Sequence, residues 1–250
     1  MNTKKHTRTM RRTAGRLSFV VLALGLAAAS CKSSDGENGE EGDEEGDGTG
    51  LDPSNENTVD ISLCAPENGP FTLDITNKYL PFTVDKVNVL EGLEGGTDAV
   101  KVQYTVRDET RDIMGVTTRV VEEQLWEDGE YTGTQLHFVA QAPDGTVCFY
   151  GSEGVGTEEE WMAGEDNALP AILMPGLPKV GKQFEVVHHP PNDVEAVEVT
   201  RIGETVETPA GTYDDTVTLV AGEVGPTEKK YAAGVGMVYD DGVELISTTY

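Results

Sequence analysis

Basic residues are scarce in this chain of 250 residues, which has 18 Lys and Arg against 45 Asp and Glu and a formal net charge of −27. Each phosphate contact to DNA or RNA needs a cation, so this imbalance excludes nucleic acid as a partner. Aromatic residues make up 6% and hydrophobic residues 37% of the chain, which is low but enough for one modest core. The 29 glycines favour turns over long helices.

Long apolar runs are also missing. Residues 17–29 form an apolar run of thirteen residues, whereas a helix that spans a membrane needs about 20. This run follows six basic residues, and residues 1–30 contain no acid. A basic segment, a short apolar run and small residues are typical of a secretory signal peptide, which we predict over residues 1–30. Met10 is an alternative start to Met1, because it gives a leader of more usual length.

Small residues precede the first cysteine. Cys31 follows Ala28, Ala29 and Ser30, an order that resembles the bacterial lipobox, although Ala28 stands where Leu is usual. We therefore predict that Cys31 is lipidated and that its acyl chains anchor the protein to a membrane. The expected location is the extracytoplasmic side of the bacterial cell envelope, at the outer membrane or the cell surface. An ordinary secretory cleavage nearby, with Cys31 as a spare thiol, is the alternative.

Residues 31–60 lack aromatic side chains and contain eight acids between Asp35 and Asp47. Such a segment buries too little apolar surface to offset the entropy of ordering, and its like charges repel one another. We predict that it is a disordered acidic linker between the lipidated cysteine and a globular domain at residues 61–250. Calcium loops need ligands at fixed spacings, which this tract lacks.

Alternating apolar and polar residues dominate residues 61–250. Val100, Val102, Tyr104 and Val106 alternate with polar side chains, a period of two that places one face of a strand on a core. Three Asp-Gly pairs, at 128, 144 and 241, favour hairpin turns. The sequence therefore predicts an all-β fold, with an antiparallel meander in one strongly curved or partly closed, open barrel-like sheet.

The predicted strands cover residues 85–91, 98–107, 115–126, 131–142, 145–151, 182–189, 194–206, 212–223, 227–233 and 235–248. A weak helical turn is predicted near residues 158–163. Residues 169–181 are predicted to be a long proline-bearing loop that divides the meander into two halves.

Four segments of the domain resemble a family of uncharacterised bacterial secreted proteins and lipoproteins with a β-rich domain. They read NKYLPF from residue 77, WMAGEDNALPAILMPGLPKVGKQF from 161, ETPAGTYDD from 207 and YAAGVGMVYDD from 231. The sequence departs from this family at residues 147–151, VCFYG, where an aromatic pair and a glycine are expected. The resemblance implies a curved sheet and an envelope location. It adds no catalytic residues, because the family has no assigned activity.

Two cysteines, Cys64 and Cys148, remain when Cys31 is assigned to lipid. An even number of cysteines in a protein exported to an oxidising compartment favours a disulfide between them. Two separate thiols are the alternative, because the sequence does not show whether their Cα atoms approach within bridging distance.

Side chains suited to catalysis are sparse. The domain has three serines, none in a G-x-S-x-G context, and three histidines, His137, His188 and His189. His137 is predicted to be solvated on a strand. His188 and His189 point to opposite faces of a strand and cannot share a metal without distortion, although either can pair with an acid such as Glu185 or Asp193. We predict no catalytic residue, metal or cofactor.

Two functions remain open. The first is a non-enzymatic binding or structural module whose concave sheet holds an apolar or amphipathic small molecule or a partner protein. Its candidate contact surface is the apolar loop with Leu169, Ile172, Leu173, Met174 and Leu177; the alternative for this loop is a plug that fills the open end of the sheet. The second function is a cation-dependent hydrolase that uses loop carboxylates. Against it, acidic pairs such as 214–215 and 240–241 are predicted to be solvated turns and strand edges.

Overall fold

A computed structural model gives the structure of the protein over residues 50–155, 160–189, 193–222 and 226–249. The predicted signal peptide, both candidate start residues, Cys31 and the acidic tract up to residue 49 lie outside the described residues.

Thirteen strands and two short 3-10 helices make up the regular structure of these ranges. The helices are Ile61–Cys64 and Pro66–Asn68. The strands are β1 Val87–Glu94, β2 Asp98–Ile113, β3 Val116–Glu127, β4 Glu130–Gln141, β5 Val147–Gly154, β6 Glu160–Met162, β7 Ala171–Met174, β8 Gln183–His189, β9 Asp193–Thr208, β10 Gly211–Ala221, β11 Thr227–Ala232, β12 Gly236–Asp240 and β13 Val243–Thr248.

Twelve strands follow one antiparallel path, in the order β6-β5-β4-β3-β2-β1-β13-β12-β11-β10-β9-β8, and β7 pairs with β5 next to β6. The two halves of the chain meet where β1 pairs with β13. The sheet curves until its ends approach, because β7 lies beside β8 and the Leu169 N–H donates to the His188 carbonyl oxygen at 2.9 Å. The predicted all-β fold is confirmed as an open, barrel-like sheet with one seam between β7 and β8.

Irregular pairing accounts for much of this curvature. The register shifts between Val106 and Thr110 where β2 pairs with β3, and at three points where β10 pairs with β9. Extra residues in one strand of a pair bend that strand and increase its twist. The long strands therefore coil around the core and do not extend as a flat sheet.

The predicted alternation in β2 is confirmed. Val100, Val102, Tyr104 and Val106 are buried and the residues between them are partly exposed. The Asp-Gly pairs at 128 and 241 connect neighbouring strands with positive φ at both residues, 50° and 82° for the first pair and 39° and 99° for the second. Asp and Gly tolerate this conformation better than most residues.

Three predicted elements differ from the structure. The single strand predicted at 235–248 is divided into β12 and β13, because the turn at Asp241 and Gly242 reverses the chain. The predicted loop at 169–181 contains the strand β7, whose four residues are all buried. The helical turn predicted near 158–163 is replaced by β6, which pairs with the edge of β5. A short segment adopts the conformation that pairs with the strand edge on which it packs, whatever its local propensity.

Residues 50–60 lie along β8. The Val59 N–H donates to the Gln183 carbonyl oxygen and the Gln183 N–H donates to the Asn57 carbonyl oxygen, each at 2.8 Å. The Leu51 N–H donates to the buried Glu185 carboxylate. The packed chain therefore begins before residue 61, where the sequence placed the end of the linker.

A disulfide joins Cys64 to Cys148, with their Cα atoms 5.5 Å apart. It connects the helix Ile61–Cys64 to β5, and the Tyr150 hydroxyl donates to the Cys64 carbonyl oxygen at 2.8 Å beside it. The segment that runs along β8 is thus tied to β5, so covalent and hydrogen bonds connect both sides of the seam.

Candidate functional site

A cavity opens at the end of the sheet where β1 begins and where β11 turns into β12. Its volume is about 410 Å³, including space open to solvent. Most of its walls are apolar. Its lining residues are Leu80, Pro81, Phe82, Lys86, Asn88, Tyr104, Val106, Tyr231, Val235, Gly236 and Met237. Apolar walls with a few polar groups are usual for small-molecule sites.

The segment NKYLPF, residues 77–82, supplies one wall of this pocket. Asn77 is buried and makes four hydrogen bonds: its Oδ1 accepts from the N–H groups of Tyr79 and Leu80, and its Nδ2 donates to the carbonyl oxygens of Gly145 and Pro175. One side chain therefore fixes the turn that presents residues 80–82 to the pocket. This segment was noted in the sequence for its resemblance to a family, and its structural role as a pocket wall was not predicted.

Tyr104 lines the pocket, but its hydroxyl is buried and is not exposed there. Its side chain is 7% exposed, and its hydroxyl has no hydrogen-bond partner among the residues that the structure describes. Burial, with contributions from the carboxylates of Glu123 and Asp240, raises the pKa of Tyr104 well above its usual value. The hydroxyl therefore stays neutral, able to donate one hydrogen bond and accept another.

Lys86 is the cation of the pocket and is 8% exposed. Its Nζ donates to the Gly234 carbonyl oxygen at 3.1 Å. Burial lowers the pKa of Lys86 from its usual value. Asn88, two residues further on, is held by the Val235 carbonyl oxygen and the Thr248 hydroxyl, at 3.0 and 2.6 Å.

Two paired groups lie among the other buried polar residues of the sheet. Nε2 of His137 is 2.8 Å from Oε2 of Glu123, and Nζ of Lys229 is 2.7 Å from Oδ2 of Asp240. Glu123 lies directly opposite Tyr104 in the pairing of β2 with β3, so the two side chains share the core face. Pairing compensates for burying such groups, and these residues therefore belong to the supporting core.

Two predictions about these residues are wrong. His137 is not solvated; it is fully buried beside Glu123. Asp240, predicted to be solvated, is also buried. In both cases the polar residue lies on a face with an opposite partner on a neighbouring strand, and single-strand alternation does not reveal such a partner.

The five residues of the apolar loop separate into two groups. Ile172, Leu173 and Met174 belong to β7 and are buried in the core, whereas Leu169 and Leu177 are 43% and 75% exposed. None of the five is among the residues that line the pocket. The buried three fill the sheet near its seam, as a plug does, and do not present a free surface.

Glu185 and His188 lie on β8 at the seam. The His188 Nδ1 contacts the Glu185 carboxylate, which also accepts the Leu51 N–H. The pairing of His188 with Glu185 is one of those that the sequence left open. The side chain of Asp193, the other candidate, is outside the described part. This contact fixes residue 51 against the sheet.

Across residues 50–155, 160–189, 193–222 and 226–249, no group of three or more His, Cys, Asp or Glu side chains is arranged to hold a metal ion. Within the same ranges no helix is long and apolar enough to cross a membrane.

Sequence reasoning missed the pocket and its polar lining residues. Tyr104 stands out only as part of an apolar face, and Lys86 gives no signal, since it lies at the start of a strand between Asp85 and Val87. The combination of Tyr104 with the turn at 77–82 could have indicated a site, because a hydroxyl on an otherwise aliphatic face needs a partner.

No protein-family model matches the sequence, and no curated protein matches it. Similar solved structures include a candidate exported protein with a YmcC-like fold from Bacteroides fragilis NCTC 9343, at 13% identity and a TM-score of 0.39, covering 70% of this chain and 100% of that one. Another is a candidate lipoprotein from Parabacteroides distasonis ATCC 8503, at 12% identity and a TM-score of 0.34, covering 69% of this chain and 99% of that one.

Proposed function

We propose that this protein is a membrane-anchored lipoprotein of the bacterial cell envelope whose β domain binds a small amphipathic molecule without catalysing a reaction. The observation that carries the proposal is an apolar pocket whose wall includes Lys86, a buried cation with no carboxylate partner among the described residues. Burying a charge without a partner is costly. A polar atom of a bound ligand relieves this cost.

The walls of the pocket support an amphipathic ligand. Leu80, Phe82, Val106, Val235 and Met237 offer apolar surface, which favours burial of an apolar ligand body by about 25 cal/mol per Å². The polar side chains of Lys86 and Asn88 are suited to orienting one polar group. This combination of apolar walls and convergent polar atoms is typical of ligand sites.

The sequence supports the envelope location. The basic leader, the apolar run at 17–29 and the small residues before Cys31 are the features of a lipoprotein signal. The Cys64–Cys148 disulfide agrees with export, because such bonds persist in oxidising compartments. The acidic tract between Cys31 and residue 50 would then serve as a spacer between the membrane and the domain.

A carboxylate-dependent hydrolase is not favoured by any contact of the described residues. Asp240 is paired with Lys229 and Asp215 with Lys78, at 2.7 and 2.6 Å. These carboxylates act in ion pairs of the fold, and the pocket wall contains no carboxylate.

Binding of a neutral apolar dye, N-phenyl-1-naphthylamine, tests the ligand site. We expect saturable fluorescence enhancement with the Cys31→Ser protein, which needs no detergent. Val106→Trp fills the pocket and should weaken binding at least tenfold, while Leu177→Trp, on an exposed residue, should bind like the parent. Unsaturable dye binding, or equal binding by the parent and Val106→Trp, would overturn the proposal.

A folding control accompanies this test. Circular dichroism and thermal unfolding show whether Val106→Trp remains folded. Leu80→Trp fills the pocket from the turn at 77–82 and provides a second variant. If both folded variants bind the dye like the parent, the dye site lies elsewhere. If the pocket holds only water, the parent protein should bind no dye.

Detergent-phase partitioning tests the anchor. The native protein, expressed in a bacterium that lipidates its exported proteins, should enter the detergent phase, and Cys31→Ser should move to the aqueous phase, because each buried CH₂ contributes about 0.8 kcal/mol. Retention of Cys31→Ser in the detergent phase would contradict lipidation at this residue.

A further inference from the structure

We infer that the ligand of the pocket is a lipophilic anion, with one apolar chain and an anionic head such as a carboxylate, and that the Lys86 ammonium group binds this head. The inference rests on the proposed function and assigns the chemical class of its ligand.

The first observation is that Lys86 has no counterion. Three basic residues are buried in the described ranges: Lys86, Arg119 and Lys229. Arg119 is 3.1 Å from a carboxylate oxygen of Asp108, and Lys229 is 2.7 Å from one of Asp240. Among the described residues, the Lys86 Nζ hydrogen-bonds only to the Gly234 carbonyl oxygen. A buried cation is stabilised when it is paired with an anion, and no described residue supplies one here.

The composition of the protein makes this lack of a partner informative. Acids outnumber bases 45 to 18, so carboxylates are abundant for pairing. Seven of the described basic residues have a carboxylate within 4.0 Å. Lys86 lacks such a carboxylate and lines the pocket. Its ammonium group can therefore bind the anionic group of a ligand.

The ammonium group of Lys86 has enough N–H donors to bind an anionic head group. An ammonium group has three N–H donors, and the Gly234 carbonyl oxygen accepts one of them. Two donors remain for the oxygens of a carboxylate. Because the pocket walls are apolar, the attraction between the two charges is stronger there than in water.

The charges around the pocket favour one position for the head. Glu123 and Asp240 act on Tyr104 and favour its neutral form. An anion beside Tyr104 would be repelled by the same two carboxylates. The anionic head therefore lies at Lys86, and the apolar chain extends along residues such as Phe82, Val106 and Met237.

The protein as a whole repels anions from its surface, because its net charge is −27. Preference for an anionic ligand over a neutral one of equal length must therefore come from a local cation. This makes a chain-matched series of ligands a direct test of Lys86.

The test measures the affinity of three ten-carbon probes, decanoate, 1-decanol and decyltrimethylammonium, by displacement of the neutral dye from the Cys31→Ser protein at physiological ionic strength. We expect decanoate to bind about tenfold or more tightly than decanol, since hydrogen bonds to charged groups are stronger than neutral ones. Decyltrimethylammonium should bind most weakly.

Three variants assign the preference to Lys86. Lys86→Met and Lys86→Gln should lose the preference for decanoate while keeping decanol affinity, and Lys86→Arg should retain the preference. Lys179→Met removes the same charge from an exposed lysine and should behave like the parent. Two charge-removing variants keep the test valid if one of them folds poorly.

The outcomes separate the inference from the proposed function. Equal affinity for decanoate and decanol in the parent, or a preference that survives in both Lys86→Met and Lys86→Gln, would overturn the inference while leaving the pocket as a ligand site. Failure of all three probes to displace the dye, with the dye insensitive to Val106→Trp, would instead overturn the proposed function.

Discussion

Two buried lysines of this protein have opposite environments. Lys229, on β11, is 5% exposed and paired with Asp240 on β12; Lys86, before β1, is 8% exposed and bonded only to a carbonyl oxygen. Burial lowers the pKa of both, but for Lys229 the Asp240 carboxylate, with Tyr231 and Glu123, outweighs burial and raises the pKa above its usual value. For Lys86 burial acts alone and the pKa falls.

The difference separates a structural charge from a functional one. Lys229 and Asp240 are each other's counterion within the fold, so neither needs an external group. The pocket leaves the ammonium group of Lys86 without a carboxylate partner among the described residues. Buried polar groups are nearly always satisfied, and incomplete ones are therefore where a ligand is expected.

Breaking the Lys229 pair should have the largest effect. Asp240→Ala leaves a buried ammonium group without its partner and should lower the free energy of unfolding by about 3 kcal/mol, near the lower end of the usual range because the Glu123 charge remains. Chemical denaturation measures this loss. The double variant Lys229→Met/Asp240→Leu should recover most of it, since apolar replacement of a buried pair is often neutral. A double variant less stable than Asp240→Ala would show that Lys229 and Asp240 also stabilise the fold through other residues.

Loosening the pocket wall should have the next largest effect. Asn77→Ala removes four hydrogen bonds, each worth about 0.5–1.5 kcal/mol, and should lower the free energy of unfolding by about 2 kcal/mol. Because the turn at 77–82 lines the pocket, dye affinity should also fall. Unchanged affinity in a destabilised Asn77→Ala protein would place the dye away from this wall.

Replacing Lys86 should hardly change stability at neutral pH. Lys86→Met loses the hydrogen bond to Gly234 but removes an unpaired buried charge, so the free energy of unfolding should change by less than about 1 kcal/mol. This contrasts with Asp240→Ala. A loss of about 3 kcal/mol in Lys86→Met would make Lys86 a structural residue like Lys229.

The pH dependence of this variant has a defined sign. The pKa of Lys86 is lower in the folded chain than in the unfolded chain, so the unfolded state holds the proton to higher pH. The charged ammonium group costs the parent protein stability below the folded pKa, and this cost disappears as the pH approaches the ordinary lysine pKa of 10.5. Between those two pKa values, the parent should gain stability relative to Lys86→Met as the pH rises. Urea unfolding at a series of pH values measures this trend, and a decline of the parent relative to the variant would contradict it.

Removing the Tyr104 hydroxyl should have the smallest effect on stability. Tyr104→Phe deletes an atom without a described partner, so the free energy of unfolding should stay within about 0.5 kcal/mol of the parent or rise slightly. Tyr150→Phe is the matched control: its hydroxyl donates to the Cys64 carbonyl oxygen, and its removal should cost about 1 kcal/mol. Equal losses in the two variants would indicate that Tyr104 is already partnered.

The fold was more accessible to sequence reasoning than the site. Alternation in β2 and the Asp-Gly turns predicted an antiparallel curved sheet because these signals are local. The pairing of His137 with Glu123 and the strand β7 depend on neighbours that are distant along the chain. The pocket required the turn at 77–82 to meet residues 231–237, and no local pattern predicts that meeting.

Side-chain NMR of the Cys31→Ser protein labelled with ¹³C-lysine compares the two lysines most directly. On addition of decanoate, we expect the Cε–Hε signal of Lys86 to shift with saturation and that of Lys229 not to move, whereas decanol at saturation should shift the Lys86 signal less. Assignment follows from the loss of one signal in Lys86→Arg. A Lys86 signal that stays fixed while decanoate saturates the protein would contradict the central claim that this lysine binds the anionic head.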